Sequence, residues 1–149
     1  GESMKEMPGY VQAFYRDLED GRLPGMRCPH CGQIRLTYVP VCDRCKRQTP
    51  ERIELDRRGV LTVFSVRQPW DMEKRYARDL PGRVAVGMVE LRDGPTLWCC
   101  VDGLDLDHPE AEWARLPLDV EIVIRRIGGN PIPVAVVVTN STELKEEKP

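Results

Sequence analysis

A chain of 149 residues holds one medium domain or two small ones. With 41% hydrophobic and 31% charged residues it can build an ordinary core, and no apolar run is long enough to cross a membrane. The formal net charge of −2 argues against a nucleic-acid partner, because phosphate contact normally shows as a strongly basic domain.

Gly1-Glu2-Ser3 before Met4 reads as a cloning remnant and is set aside. Residues 8–20 read as a short amphipathic helix, with Val11, Phe14, Tyr15 and Leu18 at i, i+3, i+4 and i+7, Pro8 at the start and Gly21 just past the end. A helix this short is marginal unless packed, so its apolar stripe covers the neighbouring element or docks on a partner chain.

Cys28-Pro29-His30-Cys31-Gly32 is answered by Cys42-Asp43-Arg44-Cys45, two C-x-x-C pairs ten residues apart. That is the spacing of a four-thiolate metal site in a rubredoxin-like zinc ribbon, in which each pair turns two sulfurs toward one ion. Gly32 suits the turn because a positive φ costs glycine nothing. Zn²⁺ accepts four soft ligands as a tetrahedron and is preferred; iron binds the same ligands, and two disulfides are the third reading. Disulfides fit a secreted scaffold, and no signal peptide is evident at the start of the chain, so a reducing cytoplasm is the expected setting. Arg27, Arg44, Lys46 and Arg47 flank the site and offset the thiolate charge. His30 reads as an exposed turn residue, and Ile34, Leu36, Tyr38 and Val39 as the ribbon's hairpin.

The polar stretch 49–58 reads as an exit from the ribbon, after which the pattern is all-β. Strands are expected over 59–67, 83–91, 95–101, 119–127 and 132–139, with turns at Arg92-Asp93-Gly94 and Gly128-Gly129-Asn130 and helical turns over 109–116. Three strands, a small helix, then two strands is the order of an OB-fold, a five-stranded, partly open barrel. The chain is therefore mainly β: an N-terminal helix over 4–24, a zinc ribbon over 25–50, an OB-fold over 51–140 and a disordered tail over 141–149. Alternation puts Cys99 inside the barrel and Cys100 outside; with Val89 and Leu91 inward, Val84, Val86 and Met88 face outward and need cover. Arg125 and Arg126 alternate in and out.

No catalytic constellation stands out. His30 and His108 are the two histidines, Cys99 and Cys100 lie mid-strand, and the acidic loop Asp102, Asp105, Asp107, His108 lacks an EF-hand pattern. The connection from Gln68 to Gly82 is longer than compact domains usually need, and such loops are often functional. It carries Trp70, Met72 and Tyr76, which suit a partner's pockets, beside Lys74, Arg75, Arg78 and Arg83.

The step Glu19-Asp20-Gly21-Arg22-Leu23, the C-x-x-C-G ribbon and the G-x-x-x-x-F-S opening of the barrel (Gly59 to Ser65) resemble the DUF35 family of zinc-ribbon, OB-fold, acyl-CoA-associated proteins. The resemblance continues through Val89-Glu90-Leu91, Gly94-Pro95 and Val101-Asp102. It departs at Lys46, where many ribbons carry a second glycine. It implies a small non-catalytic subunit in a hetero-oligomer with a thiolase-like or aldolase-like enzyme, the degradative thiolase of anaerobic toluene (benzylsuccinate) metabolism being one family system. A coenzyme A thioester would be the shared substrate, its phosphates met by the cations of the 68–82 connection. The competing reading is a nucleic-acid-binding ribbon-plus-OB protein, disfavoured by the charge and by the shortage of aromatic-basic interleaving on the second and third strands.

Overall fold

A computed structural model describes residues 7–47, 50–68, 74–80 and 82–139, with the backbone alone at Arg75. The expected tail, together with Trp70 and Met72, lies outside these residues.

The first helix, α1 (Gly9–Glu19), stops where its sequence says it should. Gly21 takes φ +82°; its N–H donates to the Leu18 carbonyl and that of Arg22 to the Asp17 carbonyl, satisfying two carbonyls that the helix leaves open. Ala13 and Phe14 pack on Met26, Tyr38 and Val39, and Tyr38 donates a hydrogen bond to Asp17. The helix thus covers the ribbon, while Leu18 turns toward the barrel beside Ile124 and Pro131. Helix α1 also covers part of the last barrel strand. None of the described helices is long and apolar enough to cross a membrane.

The ribbon is a three-stranded antiparallel sheet with β1 (Pro24–Arg27) between β2 (Ile34–Arg35) and β3 (Glu51–Glu54). Two readings of the sequence are corrected here. Leu36, Tyr38 and Val39 do not continue the hairpin: β2 ends at Arg35, and Tyr38 turns in beneath α1. Nor is the polar stretch simply an exit, since β3 pairs with β1 from Pro24↔Glu54 to Arg27↔Glu51. Its edge position lets three of four side chains face water, so no apolar period marks it.

The barrel strands are β4 (Arg58–Arg67), β5 (Val84–Leu91), β6 (Thr96–Asp102), β7 (Leu118–Ile127) and β8 (Asn130–Val137), with α2 (Lys74–Ala77) before β5 and α3 (Pro109–Arg115) before β7. Their order is β4-β5-β6-β8-β7, with β6 and β8 parallel, the topology of an OB-fold. The barrel closes where Arg58–Leu61 pairs with Leu118–Glu121, so it is not partly open. A bulge between Leu61 and Val63 shifts the register, which is how Leu61 and Phe64, three residues apart, both face inward. Gly87 lies opposite; a Cβ there would sit 2.6 Å from Leu61 Cδ1 and 2.7 Å from the Val63 carbonyl. At the rim, Trp113 of α3 stacks on Phe64 and donates its Nε1–H to the Phe64 carbonyl at 3.1 Å.

Ribbon and barrel share a core. Leu23 and Leu55 are buried in the same cluster as Leu61, Val89 and Ile122, and the Leu55 N–H donates to the Leu23 carbonyl. Gly25 admits this contact, since a Cβ would stand 2.7 Å from Leu55 Cγ. Arg125 and Arg126 do not alternate in and out: both are exposed, paired with Asp102 and Glu19.

Candidate functional site

The two knuckles fold alike. In each, the first cysteine's N–H donates to the carbonyl five residues on (Cys28 to Gln33, Cys42 to Arg47), and its carbonyl accepts from the N–H four residues on (Gly32, Lys46). Gly32 takes φ +78° and Lys46 φ +65°, so the lysine adopts the left-handed turn that glycine would favour, with its Nζ donating to the Asp43 carbonyl at 2.6 Å. The knuckle is intact despite the substitution. Lys46→Gly is expected to raise ribbon stability by about 1 kcal/mol, the cost of a side chain in that conformation, less the added freedom of the unfolded glycine. Metal-loaded thermal melts check this; a lower midpoint shows instead that the Nζ–Asp43 bond outweighs the strain.

Facing turns bring Cys28, Cys31, Cys42 and Cys45 together, their ligand atoms all within 4.8 Å of one another. Cys28 and Cys45 sulfurs are 3.5 Å apart, and Cys31 and Cys42 sulfurs 3.6 Å. A tetrahedron with metal–sulfur bonds near 2.3 Å has edges of about 3.8 Å, so the soft donor set fits an ion such as zinc. All six cysteines are free thiols. Backbone N–H groups of Cys31 and His30 aim at the Cys28 sulfur and pull its thiol down to about 6, against the effect of burial. Those of Cys45 and Arg44 likewise lower Cys42. Cys31 and Cys45 go the other way: although a backbone N–H aims at each, burial and the neighbouring sulfurs raise both, Cys45 to about 11. The first cysteine of each knuckle is thus the one held toward thiolate. His30 is exposed and is not part of the cluster; its Nδ1 lies 3.3 Å from the Arg47 guanidinium.

The carboxylates of the acidic loop are partnered: Asp102 pairs with Arg125, Asp107 with Arg83, and Asp105 with the His108 ring. Arg83 also donates to the Leu106 carbonyl at 3.0 Å. Lys74 and Arg78 are exposed and Tyr76 half-buried around the single turn of α2, so the long connection carries a short helix. Its end is tied to the barrel, Asp79 accepting from the Gly128 N–H at 2.6 Å. Leu80 helps line a cavity of about 240 Å³ with Val84, Cys100 and Val134, which covers part of the outer face left open in the sequence reading. Cys99 is buried in the barrel core and burial pushes its thiol up to about 11, while burial and the nearby Asp102 raise Cys100. Neither is poised as a nucleophile.

Sequence reasoning had Met88 facing outward and in need of cover, but missed the neighbours that make it part of a row. Val63 pairs with Met88 and Met88 with Trp98, which lines these three side chains across the outer face of β4, β5 and β6. Trp98 is 59% exposed and Val63 44%. The neighbouring outward residues are Val60, Glu90 and Thr96 on one side, and Ser65, Val86 and Cys100 on the other, with no cation among them. A buried carboxylate was also missed: Glu112 accepts from the Asp105 N–H at 2.7 Å and from Arg115 at 2.5 Å, fixing α3 against the acidic loop.

These features define a class: a helix-capped, four-cysteine ribbon fused to an OB-fold barrel. No family model matches the sequence, and no curated protein matches it. Two solved structures are similar over nearly the whole chain. The Ltp2-ChsH2(DUF35) aldolase superposes with a TM-score of 0.69 at 18% identity, covering 89% of this chain and 97% of that one. A DUF35-family protein of unknown function from Sulfolobus solfataricus gives a TM-score of 0.56 at 16% identity, with 91% of each chain covered. At such identities the likeness is one of fold, and the fold is that of DUF35 proteins.

Proposed function

We propose that this chain is a non-catalytic accessory subunit of a thiolase-like or aldolase-like enzyme that makes or breaks C–C bonds in acyl-CoA substrates. The observation that carries the reading is the fold shared over 97% of the matching chain of the Ltp2-ChsH2(DUF35) aldolase. Zinc is the proposed ion, bound by Cys28, Cys31, Cys42 and Cys45. Four protein sulfurs leave it no open position for water or substrate, so its role is structural: it holds the two knuckles and the sheet they spring from. The nucleophile belongs to the partner, because outside the cage Cys99 is buried in the barrel core, Cys100 is half-buried, and burial raises both thiols. The exposed band of Val63, Met88 and Trp98 supports a protein partner over single-stranded nucleic acid, which needs cations beside its stacking aromatics. The reducing cytoplasm is the proposed setting.

The test is co-expression with a neighbouring thiolase-like or aldolase-like gene, followed by co-purification and an acyl-CoA assay. Gene neighbourhood also decides the finer assignment to the benzylsuccinate-pathway thiolase. Alone, the chain should turn over no thioester; ribosomal or polymerase neighbours, with tight oligonucleotide binding, would overturn the proposal. Cys99→Ser with Cys100→Ser should leave the assembled complex active, and loss of chemistry with assembly intact would place a catalytic thiol here. Lys74, Arg75 and Arg78 together changed to Ala should raise KM for the acyl-CoA severalfold, because each phosphate contact is a charge-assisted hydrogen bond. A truncated thioester lacking the nucleotide phosphates should show little change. Equal effects on both substrates would remove the connection from the CoA site.

A further inference from the structure

The two knuckles are equivalent in backbone but not in what they send across the site. Gln33 and Arg47 hold matching places, each accepting the N–H of its knuckle's first cysteine at 2.9 Å. Arg47 reaches the ring of His30 in the other knuckle. The Gln33 carboxamide instead reaches a ligand: its Oε1 lies 3.9 Å from Cys42 Sγ, within reach for a large sulfur atom. Gln33 is half-buried and Cys42 is 2% exposed, so little water competes for the contact.

In that orientation the thiol donates to the amide oxygen. A cysteine bound to a metal has no S–H left, and its sulfur accepts hydrogen bonds only. Turning the carboxamide about its terminal torsion exchanges oxygen for nitrogen in place, and presents an N–H where the oxygen stood. The strand-side residue of the first knuckle then grips a ligand of the second, which no backbone hydrogen bond among the described residues does.

We propose that Gln33 is a positioning residue of the metal centre, donating its Nε2–H to the Cys42 thiolate and tying the second knuckle to the first across the ion. The inference rests on the reading of the cage as a metal site. It predicts that the carboxamide governs how tightly the loaded site holds its ion, since partners one step beyond the ligands typically change metal retention tenfold or more.

The test uses the full chain loaded with Zn²⁺, and separately with Co²⁺. Gln33→Met removes the donor at similar length, and Gln33→Glu sets a carboxylate against the thiolate. Zinc release to excess chelator should quicken about tenfold in Gln33→Met, and further in Gln33→Glu. The sulfur-to-cobalt charge-transfer bands should move to lower energy in Gln33→Met, because a thiolate without its hydrogen bond gives up charge more readily. A merely structural role would alter rates through folding while leaving those bands in place. Where methionine prevents folding, the glutamate variant, matched in size and shape, carries the release measurement. Parent-like release and bands in the variants overturn the proposal. A parent chain that binds neither ion overturns the metal reading itself, and the two failures are told apart by the parent alone.

Discussion

Removing the metal is expected to unfold the ribbon from Pro24 to Glu54 and to loosen the barrel on which it rests. The ribbon sheet is small, with a two-residue β2 and a β3 whose side chains mostly face water. Its buried side chains near the knuckles are few, chiefly Met26, Tyr38 and the ligands Cys28 and Cys42 themselves. Such a sheet has little with which to offset its own chain entropy, and the proposed structural zinc, whose apparent binding energy is roughly 10–16 kcal/mol in such sites, would supply the difference. Because Leu23 and Leu55 lie in the barrel's own core, the loss reaches past the ribbon. About one ion per chain should be found by elemental analysis. In the loaded native protein the four ligand thiols and Cys99 should be inert to a thiol reagent, whereas all six cysteines react after denaturation with a chelator. Ligand thiols that react in the native protein with no bound metal, a free-thiol count that reveals two disulfides, or a circular dichroism spectrum unmoved by chelation, would overturn this.

What the sequence revealed, and what it hid, follows from the range of the interactions concerned. The cage was legible because its two halves are local turns whose ligand spacing is fixed by backbone geometry. The barrel strands were legible because Leu61, Val89, Val101, Val120 and Ala135 face a common core and impose period two on their neighbours. Strand β3 was hidden because it is held by main-chain pairing at an edge and buries almost nothing. The closed seam and the bulge at Leu61/Val63 were hidden for a related reason: both are relations between strands, and neither leaves a period in one strand. The apolar row combines the two cases. Alternation from Cys99 already sends Trp98 outward, but its alignment with Met88 and Val63 depends on the register that the bulge sets. Gln33 gave no signal at all, since a carboxamide beside a C-x-x-C pair is an ordinary turn residue until the second knuckle is brought against it.

Trp98→Ala is expected to weaken assembly with the proposed catalytic subunit by about 2 kcal/mol or more, some thirtyfold in Kd, while leaving the barrel's own stability within about 0.5 kcal/mol. Both expectations come from the same geometry. At 59% exposure the indole contributes little to the isolated fold, yet it stands at the end of an apolar row, beside Met88 and Val63, that nothing in the described residues covers. A tryptophan in such a place removes much surface from water when a partner closes over it, and this is why it so often anchors an interface. The flanking Glu90 and Thr96 give the row a polar edge, and the absence of a cation favours a partner surface that is apolar at its centre. Trp70→Ala supplies the comparison, since the 68–82 connection is the other candidate contact. Loss of co-purification in Trp98→Ala alone places the partner on the β4-β5-β6 face, and loss in Trp70→Ala alone places it on the connection. If both variants co-purify and turn over acyl-CoA like the parent, the exposed row has no part in assembly, and its exposure is simply tolerated by a barrel that α1 and Leu80 cover elsewhere only in part.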